Sequence, residues 1–260
     1  MAYNTDGSSH KTGIRAEKNI SDKLESDISY KNEVCPSIGS NYSVNRKGGT
    51  KFKEDVVVVD NLTKQKIKLS IKKKKSLKVG SFDYVNSSSA IKSDSDFDKI
   101  KKVSKNIRKN KPNKSTARRQ FNEASHRTMK RMSSKLIKKI LIENVAIPNA
   151  DKRILMRDKT SGTDYVYNFV DDPLYTAITT MDPSFSWGRG KTSAKIIFKD
   201  KNGNEYDYGL RGRLVSNNGI TAMIGKSSNK SSIPVFKVQQ DGVGKIIKRI
   251  PKDKITIIKI

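Results

Sequence analysis

The sequence predicts an α/β fold with a mixed central sheet, flanking helices, an inserted basic helical region and a β-rich C-terminal half. Three observations carry this. Apolar residues at helical spacing open the chain and lead into two short strand-like runs, KEDVVVVD and KIKLSIKKKK. The composition then turns basic and helical over 94–146. Beyond about residue 151, runs rich in Val, Ile, Tyr and Phe alternate with turn residues. With 260 residues, 34% of them apolar, the chain can bury a real core. The expected organisation is a flexible 1–13, a core over 14–93, the basic helical region 94–146, and a β-rich 147–260 packed on the same core.

Taken in order, Ile20, Leu24 and Ile28 recur at helical spacing and predict a helix over about 14–30. VCPSIGSNYSVNRKGGTK is rich in Gly, Ser and Asn and reads as a loop, with Tyr42-Ser43-Val44 a short strand. Strands follow at Asp55–Asp60 and Lys66–Lys73, joined by Asn-Leu-Thr-Lys-Gln as a hairpin with a five-residue loop. Pro112 divides the basic region into two helices. TDYVYNFV, SAKIIFKD, EYDYGLRGRLVS, ITAMIG, PVFKVQ and KITIIKI read as strands, with Asn202-Gly203 as a hairpin turn.

Charge narrows the partner class. Fifty-four Lys and Arg stand against 26 Asp and Glu, a formal +28, which points to a polyanion and first to nucleic acid. A Lys/Asn/Ile-rich composition accounts for part of the lysine count but not for the scarcity of acids. No run of about 18 apolar residues exists and MAYNTDGSSHKTG has no apolar core, so a cytoplasmic protein is expected, with no membrane contact. Cys35 is the sole cysteine and His10 and His126 the sole histidines, which excludes structural zinc sites, Cys-His nucleophiles and Ser-His triads. Any catalysis must run on carboxylates, lysine and a hard metal ion.

The hairpin offers that chemistry. Alternation along the first strand puts Asp55, Val57 and Val59 on one face and Glu54, Val56, Val58 and Asp60 on the other. Pairing about the five-residue loop then sets Asp55 opposite Ser70 or Lys72 and leaves Glu54 and Asp60 on the wrong face. A carboxylate beside a lysine suits phosphodiester hydrolysis: the acid binds Mg²⁺, and the ammonium orients the attacking water. The plain alternative is a solvated hairpin whose Lys72 is merely first in a run of four.

Asp55, a spacer and then Ser70-Ile71-Lys72 resembles the bipartite signature of the PD-(D/E)xK nucleases, the restriction-endonuclease-like superfamily. GGTKFKEDVVVV resembles their approach to the first catalytic strand, and the likeness covers about residues 14–90. Glu54 replaces the usual proline and Ser70 replaces the usual second acid. The resemblance implies a Mg²⁺-dependent endonuclease acting on DNA, with Asp55 as metal ligand and Lys72 as the lysine. It also implies an acid from the first helix at the metal; Glu17, on the Ile20-Leu24-Ile28 stripe, matches by order and face. The helix dipole near its N-terminus would equally favour Glu17. Asp83 in GSFDYVN is a second possible donor, with an ordinary turn as its plain reading. The size suits a stand-alone enzyme of phage or restriction origin, a homodimer being compatible, with no small-molecule cofactor.

Lys73 and Lys74 extend the strand's charge toward DNA. Between Lys99 and Lys139 Glu123 is the one acid, and Arg118, Arg119, Arg127, Lys130 and Arg131 recur at spacings that share a helical face. Such a face tracks phosphates without reading sequence. Arg211 and Arg213 share one side of a strand that ends at Asn217-Asn218-Gly219, residue types that read guanine and adenine edges as well as phosphates; a plain hairpin turn fits equally. SFSWGRGKTS lacks P-loop spacing, so Trp187 is expected to anchor a loop. The rival to the nuclease reading is a non-enzymatic protein that binds DNA or RNA through these basic faces.

Overall fold

The computed structural model describes residues 8–47, 54–74, 76–77, 81–87, 95–188, 193–216, 218–225 and 234–260. In chain order the elements begin α1 (Ser8–Ser26), α2 (Ile28–Val34), β1 (Tyr42–Arg46), β2 (Val56–Asp60), β3 (Lys66–Lys74) and β4 (Ser81–Ser87). The basic region forms α3 (Ser95–Asn110), α4 (Lys114–Arg131), α5 (Ser134–Leu141), a π-helical stretch Ile142–Ala146 and α6 (Ile147–Asn149). Then come β5 (Lys152–Asp158), β6 (Thr163–Asn168), α7 (Pro173–Thr180), β7 (Asp182–Ser186), β8 (Ala194–Lys199) and β9 (Glu205–Ser216). The chain ends with α8 (Gly219–Met223), β10 (Pro234–Asp241), α9 (Gly244–Arg249) and β11 (Thr256–Lys259). The protein is thus α/β. No helix among the described residues is long and apolar enough to cross a membrane.

Two compact units divide the chain. The first comprises Met1–Gly80, Pro148–Tyr175 and Ile246–Ile260. Its six-stranded sheet runs β1-β2-β3-β5-β6-β11, and all neighbours are antiparallel except β3 and β5. A parallel pair needs a long crossover, and here the crossing chain is the whole stretch from Ser81 to Ile147 that belongs to the second unit. Val56 and Val58 of β2 join Leu69 and Ile71 of β3 in a core with Ile20 and Leu24 of α1 and Tyr30 and Val34 of α2. Each such aliphatic side chain contributes roughly 1.5–3 kcal/mol on burial.

The single helix expected over 14–30 is two. Asp27 interrupts it because its side chain accepts a 2.9 Å hydrogen bond from Tyr30 N, the N-cap of α2. Helix α1 also reaches back to Ser8, into the segment expected to be flexible.

The second unit comprises Ser81–Ile147 and Thr176–Lys245. Its sheet is antiparallel, in the order β4-β10-β9-β8-β7, with α3 against β10 and α4 against β9. The break expected at Pro112 is present, and Asn113 caps α4 by accepting from Thr116 N at 2.8 Å. Asn202-Gly203 makes the β8–β9 turn, with Gly203 at φ +87° and Asp200 accepting from Asn202 N and Asn204 N. ITAMIG is not a strand: its first four residues lie in the short helix α8, which starts at Gly219 and is followed by Gly225, both at positive φ. SFDYVN belongs to strand β4 rather than a turn, and it pairs with β10. Trp187 meets the ring of His126 edge-on at 4.4 Å and that of Phe185 at 6.2 Å, which holds the loop as expected.

Candidate functional site

The hairpin forms with the expected five-residue loop, and its ladder pairs Val56 with Leu69, Val57 with Lys68 and Val58 with Ile67. Ser70 and Lys72 therefore share the strand face of Lys68. The alternation stops short of Asp55. Its N–H donates to Leu69 O at 2.9 Å although Leu69 is already the partner of Val56, so two residues bear on one, as at a β-bulge. Glu54 accordingly joins Val57, Val59, Lys66 and Lys68 around a hollow of about 600 Å³, on the face that strict parity denied it. What brings Asp55 to Ser70-Ile71-Lys72 is a side-chain bond instead: its Oδ2 accepts from Ile71 N at 2.6 Å. Asp55 and Lys72 are half-buried, and Ser70 is buried.

The other acid of the hairpin has a structural task. Asp60 is buried, and its carboxylate accepts from Gly39 N, Leu62 N and Thr63 N at 2.8–2.9 Å. The Thr63 and Gly39 backbone donors hold its pKa down at about 2. Lys31, almost fully buried, donates to Ile38 O at 2.6 Å and Gly39 O at 3.1 Å and ties the same loop to α2.

Glu17 is half-buried on α1, the helix that packs on β1 and β3, and it is engaged in interactions of its own. Lys73 and Lys74 are half-buried at the end of β3. At the same end Arg157 of β5, the register neighbour of Lys73, grips Asp164 through two hydrogen bonds of 2.7 and 2.5 Å, and Tyr30 OH donates to the same carboxylate at 2.5 Å. Burial, followed by the charge of Asp164, pushes the Tyr30 pKa well up, so its hydroxyl remains a donor. The sequence does not announce this network, because KRILMRD, which forms β5, interleaves charge with apolar residues and lacks a clear strand pattern.

In the second unit Arg118, Arg119, Arg127, Lys130 and Arg131 are all exposed on α4, while Ala117, Phe121, Ala124 and Thr128 face inward. Exposed Lys99, Lys102, Lys105 and Arg108 continue the basic surface on α3, which packs against α4. Arg211 is paired with Asp241, Nε to Oδ2 at 2.5 Å, and reaches Ser193 Oγ at 3.3 Å. Arg213 is half-buried with an Nε that finds no hydrogen-bond partner among the described residues. Asn218 is exposed just before α8. Asn217 lies outside the described residues, as do residues 48–53 and the Asp83 side chain.

No family model, curated protein or solved structure matches this chain.

The fit of a metal ion can be tested on the donors. Among the described residues no three His, Cys, Asp or Glu side chains gather as a metal-binding group. Mg²⁺, however, keeps several waters and is commonly held by one or two carboxylates plus substrate phosphates. Asp55 spends Oδ2 on a backbone N–H, and Glu17 rides on α1, which packs on the Leu69-Ile71 face of β3, opposite the face of Ser70 and Lys72. One or two carboxylates with a phosphate are thus within the donor chemistry that Mg²⁺ accepts.

Proposed function

We propose that the chain is a Mg²⁺-dependent endonuclease of the restriction-endonuclease-like kind that hydrolyses DNA phosphodiester bonds. One observation carries the reading: sixteen residues of sequence separation are closed so that the Asp55 carboxylate lies 2.6 Å from the N–H of Ile71, the residue between Ser70 and Lys72. The setting accords with the resemblance, a hairpin inside a mixed sheet with helices against its core strands.

In this reading Asp55, with Glu17, would hold the metal and fix where the scissile phosphate sits. The chemistry supplied by a bound Mg²⁺ is polarisation of the phosphate and a lowered pKa for a bound water. Lys72 orients the attacking water and offsets the charge that grows on the phosphate oxygens. Ser70, buried and uncharged, contributes a hydroxyl at the position where the resemblance would place a second acid. The exposed cations of α3 and α4 supply affinity by releasing counterions, independent of base sequence.

A plasmid-nicking assay tests the proposal. Asp55→Asn keeps an oxygen to accept from Ile71 N–H but removes the charge, so it should fold, bind DNA and lose cleavage by about a hundredfold or more. Wild type should stop cutting in EDTA and resume with Mg²⁺. Equal nicking by wild type and Asp55→Asn sinks the enzymatic reading. Binding without cleavage by wild type leaves a nucleic-acid-binding protein, and a salt-matched comparison of duplex DNA with RNA then identifies its ligand.

A further inference from the structure

At the carboxyl ends of β3 and β5 the first unit gathers more positive charge than its acids balance. Lys73 and Arg157 are register neighbours on these parallel strands, so their side chains leave the same face. Lys159 follows β5 directly, its N–H bonded to Lys74 O at 3.0 Å. Arg15 comes from α1, which packs on β3. Burial, then Lys159, Arg157 and Arg15, all lower the pKa of Lys73.

Two acids of the neighbouring strands are spent elsewhere. Asp164 is fully buried and takes both Arg157 and Tyr30. Asp158 pairs in register with Lys74, on the opposite face from Lys73, and its carboxylate accepts from Thr160 N at 2.9 Å. Among the described residues Arg15, Lys73 and Lys159 form no ion pair with an acid. A half-buried lysine ringed by cations is held at a cost in like-charge repulsion, and an anion among them would reverse its sign.

We propose that Lys73, Arg15 and Lys159 form a phosphate-binding cluster that takes a DNA backbone phosphate other than the one attacked. The proposal rests on the nucleic-acid reading of the chain: Lys73 leaves β3 on the face opposite Lys72, so the cluster takes its phosphate on the side of the sheet where α1 packs. Arg157, fixed by Asp164 and Tyr30, backs the cluster and adds field without needing to move. The cluster would set where the strand lies along β3 and would carry no base preference.

The test is binding without cleavage. Fluorescence anisotropy of a labelled 16-base-pair duplex in EDTA, from 50 to 200 mM salt, compares wild type with Lys73→Gln, Arg15→Gln/Lys159→Gln and Lys199→Gln as a control. Lys73→Gln should weaken binding about threefold to tenfold at low salt, and each lost phosphate contact should lower the slope of log K against log salt by about one. Its melting temperature should not fall, because removing the charge relieves repulsion in the free protein. An unchanged slope, or a Lys73→Gln variant that melts several degrees lower, overturns the proposal. If Asp55→Asn nicks like wild type while Lys73→Gln still flattens the salt slope, the cleavage reading falls and the phosphate cluster stands.

Discussion

Replacing Asp164 by Asn tests the energetic centre of the first unit. The Asp164 side chain has no exposed surface, and it answers two guanidinium hydrogen bonds from Arg157 and one from the Tyr30 hydroxyl. Asparagine keeps the shape, but it turns an NH₂ toward donors and leaves Arg157, only 14% exposed, without its counter-charge. Breaking a buried pair from one side costs about 3–5 kcal/mol, against a total stability of about 5–15 kcal/mol for a folded domain. Urea denaturation followed by far-UV circular dichroism should therefore show the midpoint of the first unit moving down by more than 1 M, at about 1–3 kcal/mol per M. Arg157→Met in the same background should recover part of the loss, since it removes the buried charge that Asp164→Asn leaves without a partner. If the two substitutions add, or if Asp164→Asn costs less than about 1 kcal/mol, the network contributes no more than a surface pair and the argument fails.

Asp60 governs part of the acid limb. Its carboxyl sits at about 2, below the ordinary value, so its contribution is complete above about pH 4 and is lost as pH falls through 2. Asp60→Asn should flatten the melting temperature between pH 4 and 2, and an unchanged acid limb would contradict it. Gly209 has φ +76°, and an added Cβ would run into Asp241 O, so Gly209→Ala should destabilise the second unit by about 2–5 kcal/mol in chemical denaturation. Burial first of all lifts the buried Cys35 thiol to about 12, so a thiol reagent at pH 8 should label it only at the rate of unfolding. Arg118→Gln/Arg119→Gln on the exposed face of α4 should lower the salt slope of DNA binding by about two with no change in melting temperature.

What sequence could resolve follows from how local each signal is. The β2–β3 hairpin was legible because four consecutive valines, a five-residue polar connection and an alternating second strand all point to one structure. Strand β5 was not, because its alternation interleaves Leu155 with Arg153 and Arg157; Arg153 reaches Val34 O far back in the chain, and Arg157 reaches Asp164 on the neighbouring strand. ITAMIG was misread because its β-branched residues favour a strand over so short a span, whereas the positive-φ glycines at each side close it into a helical turn. The α1–α2 break turned on one cap at Asp27, a signal present in the sequence but outweighed by the continuing apolar stripe.

The site itself shows where alternation stops being a guide. Parity selected Asp55 over Glu54 by assuming that the ladder continues past Val56; the shared partner Leu69 ends that assumption and hands the hollow beside Lys66 and Lys68 to Glu54. Asp55 keeps its place for a different reason, because a bend that sets two residues against one leaves Ile71 N–H without a ladder carbonyl and the carboxylate fills that vacancy. The same bond that supports the fold also fixes one oxygen of the carboxylate and leaves the other to act. Fold support and chemistry can therefore be separated at Asp55 by charge alone: Asp55→Asn preserves the acceptor and Asp55→Ala removes it. Equal stability for wild type and Asp55→Asn, with a loss of about 1–3 kcal/mol in Asp55→Ala, would assign the hydrogen bond to folding. Any loss of cleavage in Asp55→Asn then belongs to the charge.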